Sequence, residues 1–204
     1  MPLRHKVLDA IPKQYITRAA RDLNMLKRNT IVCDEEEIPF IPDRAIHDIK
    51  IGGKIAIDIF LEKEGKNITP LERSLLEGWK TSHWSAYEVK RVIPQVRLEI
   101  ENIFTGDVIP LKDISFSLTA RTGLIIATRI VKNDRFYHTG GANVVFTYDK
   151  KEELKTYFEK RLEKYKKIRR LSYVEFFKEK GYLFYLLGKA KGIIPLTSDA
   201  LHRV

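Results

Sequence analysis

A chain of 204 residues, 44% of them hydrophobic, carries enough apolar material for the core of one or two domains, and no apolar run approaches the roughly 20 residues of a membrane span. The charge is unbalanced, with 37 Lys and Arg against 27 Asp and Glu for a net +10, which favours an anionic partner such as nucleic acid. Cys33 is the single cysteine, so an intrachain disulfide framework and a cysteine-rich zinc site are both excluded.

In chain order, the charge-interrupted N-terminus MPLRHKVLDAIPKQYITRAARDL lacks a secretory apolar stretch, so the expected location is cytoplasmic. Ile11 to Leu26 predicts a helix, because Ile16, Ala19, Ala20, Leu23 and Leu26 recur at helical spacing. ITRAARDLNM has the pattern of the first helix of a helix-turn-helix, but the segment after it, RNTIVCDEEEIPFIP, is acidic and broken by Pro39 and Pro42. DRAIHDIK predicts a short helix opened by Asp43 and ended by Gly52-Gly53. Next, Ile55, Ile57 and Ile59 alternate with Ala56, Asp58 and Phe60 as in a strand, although Phe60 to Lys63 fits a helix equally. Thr69-Pro70-Leu71-Glu72 is a capping box with proline at the first helical position. Leu71, Leu75, Leu76 and Trp79 form the expected buried face.

From Tyr87 the period becomes two. Val96, Leu98 and Ile100 point inward, and Arg97, Glu99 and Glu101 outward. Thr105-Gly106-Asp107 turns the chain. Ile114, Phe116 and Leu118 then alternate with Ser115 and Ser117 as a further strand, and Arg121-Thr122-Gly123 is the next turn. LIIATRIV reads as a central apolar strand that carries one charge, Arg129, which must either pair or reach solvent. RFYH and NVVFTY follow as two strands joined by a turn at Thr139-Gly140-Gly141. The last part is helical. Leu154, Phe158, Leu162, Tyr165 and Ile168 recur three or four apart, and Ser172-Tyr173-Val174-Glu175 is a second capping box. It opens a helix with Phe176, Phe177, Leu183, Phe184 and Leu187, for which Gly188 is the expected stop.

The fold class expected is therefore α+β: N-terminal helices, a central small antiparallel β-barrel or curved sheet of six or seven strands, and two C-terminal helices. The boundaries fall near Trp84 and Asp149. They divide the chain into a mainly helical region (1–84), the small barrel (85–148) and a basic helical region (149–204), the three open to forming one compact unit.

For chemistry the residues offer little. His5, His47, His83, His138 and His202 show no metal-ligand spacing. Asp43 and His47 lie four apart and read as a surface pair. Three acids follow Cys33, which raises a thiol pKa instead of activating it. No phosphate-cradling glycine motif and no nucleophile elbow occurs. No cofactor, metal or catalytic residue is expected, and an enzyme is a distant third reading.

The charge is concentrated. From Lys150 to Lys191 there are 14 Lys and Arg and 6 Glu, a surplus of +8. Lys160, Lys164, Lys167 and Arg170 fall on one helical face, with Arg169 beside them, so phosphates are the natural contact. Arg129, Arg135 and Tyr137 add a second candidate surface on the barrel. The first expectation is a binding protein for RNA, DNA or the ribosome. The second is a protein-interaction module or homodimer that uses the barrel and the aromatic helix face. The acidic block Asp34 to Glu37 is positioned in sequence to neutralise part of the basic helix.

Three segments together resemble a known group: FLEKEGKNITPLERSLLEGWKTSHWSAYEVKRV, LEIENIFTGDVIPLKDISFSLTARTGLIIATRIV and LSYVEFFKEKGYLFYLL. The resemblance, over about residues 50–190, is to uncharacterised prokaryotic proteins that often carry a SecA C-terminal-like (SEC-C) zinc motif. That group favours an acid where this chain has Asn102, and one cysteine cannot supply the zinc motif. The resemblance implies a fold and no activity.

Overall fold

The computed structural model describes residues 2–133 and 136–193. Helices α1 (Leu3–Ala10) and α2 (Lys13–Asp22) open the chain. Pro12 separates them, because the residue before a proline is pushed to an extended backbone, as Ile11 is. A two-residue ladder of β1 (Leu26–Lys27) and β2 (Thr30–Ile31) follows. Helices α3 (Phe40–His47), α4 (Ala56–Glu64) and α5 (Pro70–Thr81) complete the N-terminal layer. Strands β3 (His83–Ile93), β4 (Arg97–Asn102) and β5 (Val108–Leu111), helix α6 (Ile114–Thr119), and strands β6 (Ile125–Lys132) and β7 (Tyr137–Phe146) form the middle. Helices α7 (Lys151–Lys166), α8 (Tyr173–Lys180) and α9 (Leu183–Ala190) close the described chain.

Mixed α and β architecture is therefore present, with a five-stranded curved sheet in place of six or seven strands. β3 pairs antiparallel with both β4 and β6, β4 with β5, and β6 with β7. β5 and β7 meet in parallel at a single bridge, Leu111 to Tyr137.

Of four expected strands, two are helices and two merge into one, each for a physical reason. Ala56–Phe60 belongs to α4, capped by the extended Ile55, and Ala56, Ile57 and Phe60 turn one side of the helix into the core. Ile114–Leu118 is the helix α6, because the Asp113 side chain accepts a hydrogen bond from Phe116 N at 2.9 Å and caps it. Phe116 is buried by that turn, while Ile114 and Leu118 stay half exposed instead of entering the core. Tyr137-His138 and Asn143–Phe146, from the two expected strands, are two ends of the one strand β7. Gly140-Gly141 is thus a bulge inside a strand and no hairpin turn. Between Thr128↔Asn143 and Ile130↔Thr139, β6 advances two residues and β7 four.

The capping boxes are formed as the residues imply. Thr69 Oγ1 accepts from Glu72 N at 3.2 Å and Thr69 N donates to the Glu72 carboxylate at 2.9 Å. Ser172 and Glu175 do the same at the start of α8. The helix expected to run through Gly181 breaks there into α8 and α9, and Gly188 lies inside α9 rather than after it. A Cβ at Gly181 would sit 2.5 Å from the Trp84 Cβ, so the backbone passes directly over that ring.

One face of the sheet contributes Trp84, Ala86, Ala127, Val144 and Phe146 to a large core shared with helices from both ends of the chain. Its densest part is aromatic: Phe158 and Phe184 lie 4.1 Å apart between centroids, beside Phe104, Phe176 and Phe177. The other face holds a smaller core of Tyr87, Val89, Leu98, Ile100, Leu111, Ile126 and Ile130, completed by Phe116. The aromatic face of α8 and α9 is therefore interior.

Candidate nucleic-acid interface

α7 turns Leu154, Phe158 and Leu162 inward, which leaves Lys160, Lys164 and Lys167 exposed. These three line an open groove of about 750 Å³ together with Arg161, Lys180 and Tyr165. Arg161 lies 3.6 Å from the Tyr157 ring centroid and Lys180 5.2 Å from that of Tyr165, so the rings steer two of the cations. Glu163 is drawn to Lys166 at 2.8 Å. Among the described residues no carboxylate comes within ion-pairing distance of Lys160, Lys164 or Lys167.

Lys180 also borders a second cleft, of about 660 Å³, between α2, α3, the end of α5 and the α7–α8 connection. Arg169 lines it while ion-paired to Glu179. Arg170 is exposed and borders neither. Because α7 ends at Lys166, Arg169 and Arg170 sit in the following turn and not on the helical face expected for Arg170. Arg18 and Lys50 lie in both this cleft and a third concavity that adds Arg21. The three concavities thus adjoin through shared residues. Their linings carry twelve Lys and Arg against seven Asp and Glu.

The floor of the second cleft is a buried ionic cluster built around Arg129, whose side chain is 0% exposed. Its Nε and Nη2 donate to Asp43 at 3.2 Å each, Nη2 donates to both Asp48 oxygens at 2.8 and 2.9 Å, and Nη1 donates to Ser82 O at 3.1 Å. Trp84, opposite Arg129 in the β3–β6 register, donates Nε1 to Asp43 at 2.7 Å. Arg44 binds Asp22 at 2.9 Å and Asp48 at 3.4 Å, and Arg4 reaches Asp43 at 3.9 Å. Three arginines thus face three aspartates. Gly140 makes the room: a Cβ there would stand 3.0 Å from the Arg129 Cβ.

Burial alone would raise the Asp43 carboxyl, but the Arg129 guanidinium, with Arg4 farther off, holds it down at about 2. Burial pushes Asp48 above the usual carboxylate range against the pull of Arg129 and Arg44. His47 lines the cleft, with its ring edge-on to Trp79 at 5.4 Å. Burial and the Arg129 charge push it down to about 3, so it is a neutral imidazole at physiological pH. His83, likewise by burial and Arg129, falls to about 4.

Asp43 and His47 were expected as a surface pair. Asp43 is instead interior, and it does not open α3 but lies within it. Arg129, expected among surface cations, is fully enclosed and committed to carboxylates, so it cannot present its guanidinium to a phosphate. Tyr137 is half-buried at the far edge of the sheet, apart from the α7 groove, and Arg135 lies outside the described residues. The acidic block does not neutralise α7. Glu37 turns inward to Tyr185 and Lys189 of α9. Sequence reasoning missed Arg161, Lys180 and Lys50 of the cationic lining. Lys180 followed from the α8 helix, whereas Lys50 and Arg18 join only through the tertiary fold.

Among the described residues no group of three His, Cys, Asp or Glu is placed to hold a metal ion, and no helix is long and apolar enough to cross a membrane. A family model described as a family of unknown function (DUF7986) matches residues 1–193. No curated protein and no solved structure matches the chain.

Proposed function

Since the chain belongs to a family of unknown function, we propose from its own surface that it is a non-enzymatic module that binds nucleic acid, through phosphates and with little sequence preference. The observation that carries this is the run of adjoining concavities from α7 across the α7–α8 turn to α2, with its excess of cations. Such a path suits a strand carrying one charge per phosphate, since each lysine that meets a phosphate releases a counterion. Lys160, Lys164 and Lys167 are the leading contacts, because they are unpaired and face one groove. Arg169 and Arg170 mark where the path leaves the helix.

The small curved sheet carries α8 and α9, and α7 packs on them through Phe158 against Phe177 and Phe184. The likeness to SEC-C-bearing proteins adds no activity to this reading. A partner that needs the aromatic face of α8 and α9 is disfavoured, because Phe176, Phe177 and Phe184 are buried. The test is fluorescence anisotropy with 30-nucleotide RNA and DNA probes across roughly 50–200 mM salt. Log affinity should fall linearly with log salt. Lys164→Ala should lower that slope by about 1, and combined Lys160→Glu, Lys164→Glu and Lys167→Glu should abolish binding. Binding of the triple variant with the parental salt slope would refute the proposal.

A further inference from the structure

A separate pocket lies where four strand ends converge at one edge of the curved sheet. Val96 and Arg97 lead into β4, Pro110 and Lys112 come from β5 and the residue after it, Lys132 from the end of β6, and Phe136 and Tyr137 from the entry to β7. Its volume is about 370 Å³, inside the range of small-molecule sites, roughly 300–1,000 Å³. Backbone bonds fix its walls. Lys112 N donates to Tyr137 O at 2.8 Å, and Asn133 N donates to Phe136 O at 3.0 Å.

The pocket is cationic and also partly apolar. Among the described residues its lining includes three cations and no carboxylate. Among the described residues none of Arg97, Lys112 and Lys132 takes part in an ion pair, whereas most acidic groups elsewhere are matched. Lys112 Nζ stands 4.8 Å from the Phe136 ring centroid and Lys132 Nζ 5.7 Å from that of Tyr137. Each ring offers its electron-rich face to an ammonium group and holds that cation near the pocket. Val96, which is 52% exposed, and Pro110 supply apolar wall.

We propose that this pocket binds a nucleotide, with the base against the Val96, Pro110 and Tyr137 wall and the phosphate between Arg97, Lys112 and Lys132. The chemistry requires both parts at once. Three cations with no counter-charge among the described residues select an anion, and Arg97 can offer a phosphate two parallel N–H donors. The apolar and aromatic wall beside them suits a flat ring, since stacking on aromatic side chains is sequence-tolerant and stabilises by about 1–3 kcal/mol per base. The nucleotide could arrive free or as a unit of a single strand; the pocket chemistry is common to both. The proposal does not rest on binding by α7.

The experiment is calorimetric and NMR titration of the intact chain with four probes: adenosine monophosphate, adenosine, inorganic phosphate, and a five-nucleotide oligoadenylate. Adenosine monophosphate or the oligoadenylate should bind at least about tenfold more tightly than adenosine or phosphate, the loss expected when one charge-assisted partner is removed. Saturation by the mononucleotide identifies the free form as the ligand, and binding by the oligoadenylate alone identifies the strand. Arg97→Ala and Lys112→Ala alter exposed side chains, so the fold is retained, and each should weaken binding about tenfold. The triple charge reversal on α7 should leave mononucleotide binding unchanged, which separates failure here from failure of the α7 groove. No binding by either nucleotide probe, equal binding of phosphate and mononucleotide, or binding insensitive to both alanine variants would each overturn the proposal.

Discussion

Replacing Arg129 with methionine, which keeps the aliphatic stem and deletes the charge, probes the ionic cluster most directly. The guanidinium donates five hydrogen bonds, four to Asp43 and Asp48 and one to Ser82 O. Without it Asp43 keeps the Trp84 N–H at 2.7 Å and an Arg4 contact at 3.9 Å, and Asp48 keeps Arg44 at 3.4 Å. Both carboxylates stay buried with weakened compensation. Removing one partner of a buried pair typically costs about 3–5 kcal/mol, a large share of the roughly 5–15 kcal/mol that holds a domain folded. With a urea dependence of about 2 kcal/mol per molar, the unfolding midpoint should drop by roughly 2 M. Urea titration followed by tryptophan fluorescence is the assay, because Trp84 is bonded to the cluster. Asp43→Asn placed in the Arg129→Met background should restore part of the loss, with a coupling of about 1–3 kcal/mol. A single variant within about 1 kcal/mol of the parent, or strictly additive losses, would refute the claim that the cluster acts as a unit.

Two further outcomes follow from the same region. His47 and His83 have folded values of about 3 and about 4, below their ordinary value of 6.5, so the stability each contributes is complete above pH 6.5 and is lost as pH falls. Between pH 7 and pH 5 each loss approaches about 2 kcal/mol; urea midpoints for the parent and His47→Gln should diverge less at pH 5 than at pH 7, and parallel pH slopes would count against it. Gly181→Ala should destabilise by about 1–3 kcal/mol despite alanine's better helix propensity, because its methyl group overlaps the Trp84 side chain. A raised melting temperature would contradict that.

How much was legible depended on the range of the interaction. The Thr69 and Ser172 caps and the inward stripe of α7 are local, and each was readable from four to eight residues. Arg129 was readable as an anomaly: a charge on an apolar strand demanded a partner. That partner, Asp43, lies 86 residues away, and nothing local distinguishes it from a surface aspartate. Ile114–Leu118 failed because an alternating pattern over five residues also fits a short helix, and the cap at Asp113 decided for the helix. Gly140-Gly141 failed for a related reason. Two glycines between apolar runs fit a hairpin or a bulge equally, and the choice was made by the Arg129 side chain that needed the space. The mixed surface of the candidate interface was legible on α7 alone, since its other walls come from α2, α3 and the end of α5.

The ionic cluster also orders events during synthesis. Asp43 and Asp48 leave the ribosome about 80 residues before Arg129, given the separations of 86 and 81 positions. Until then the N-terminal helices carry two carboxylates with no matching guanidinium from the sheet, and the core that will cover them is incomplete. The long-range closure is slow by nature, and it waits for β6, the strand that brings Arg129 to Asp43 and Asp48.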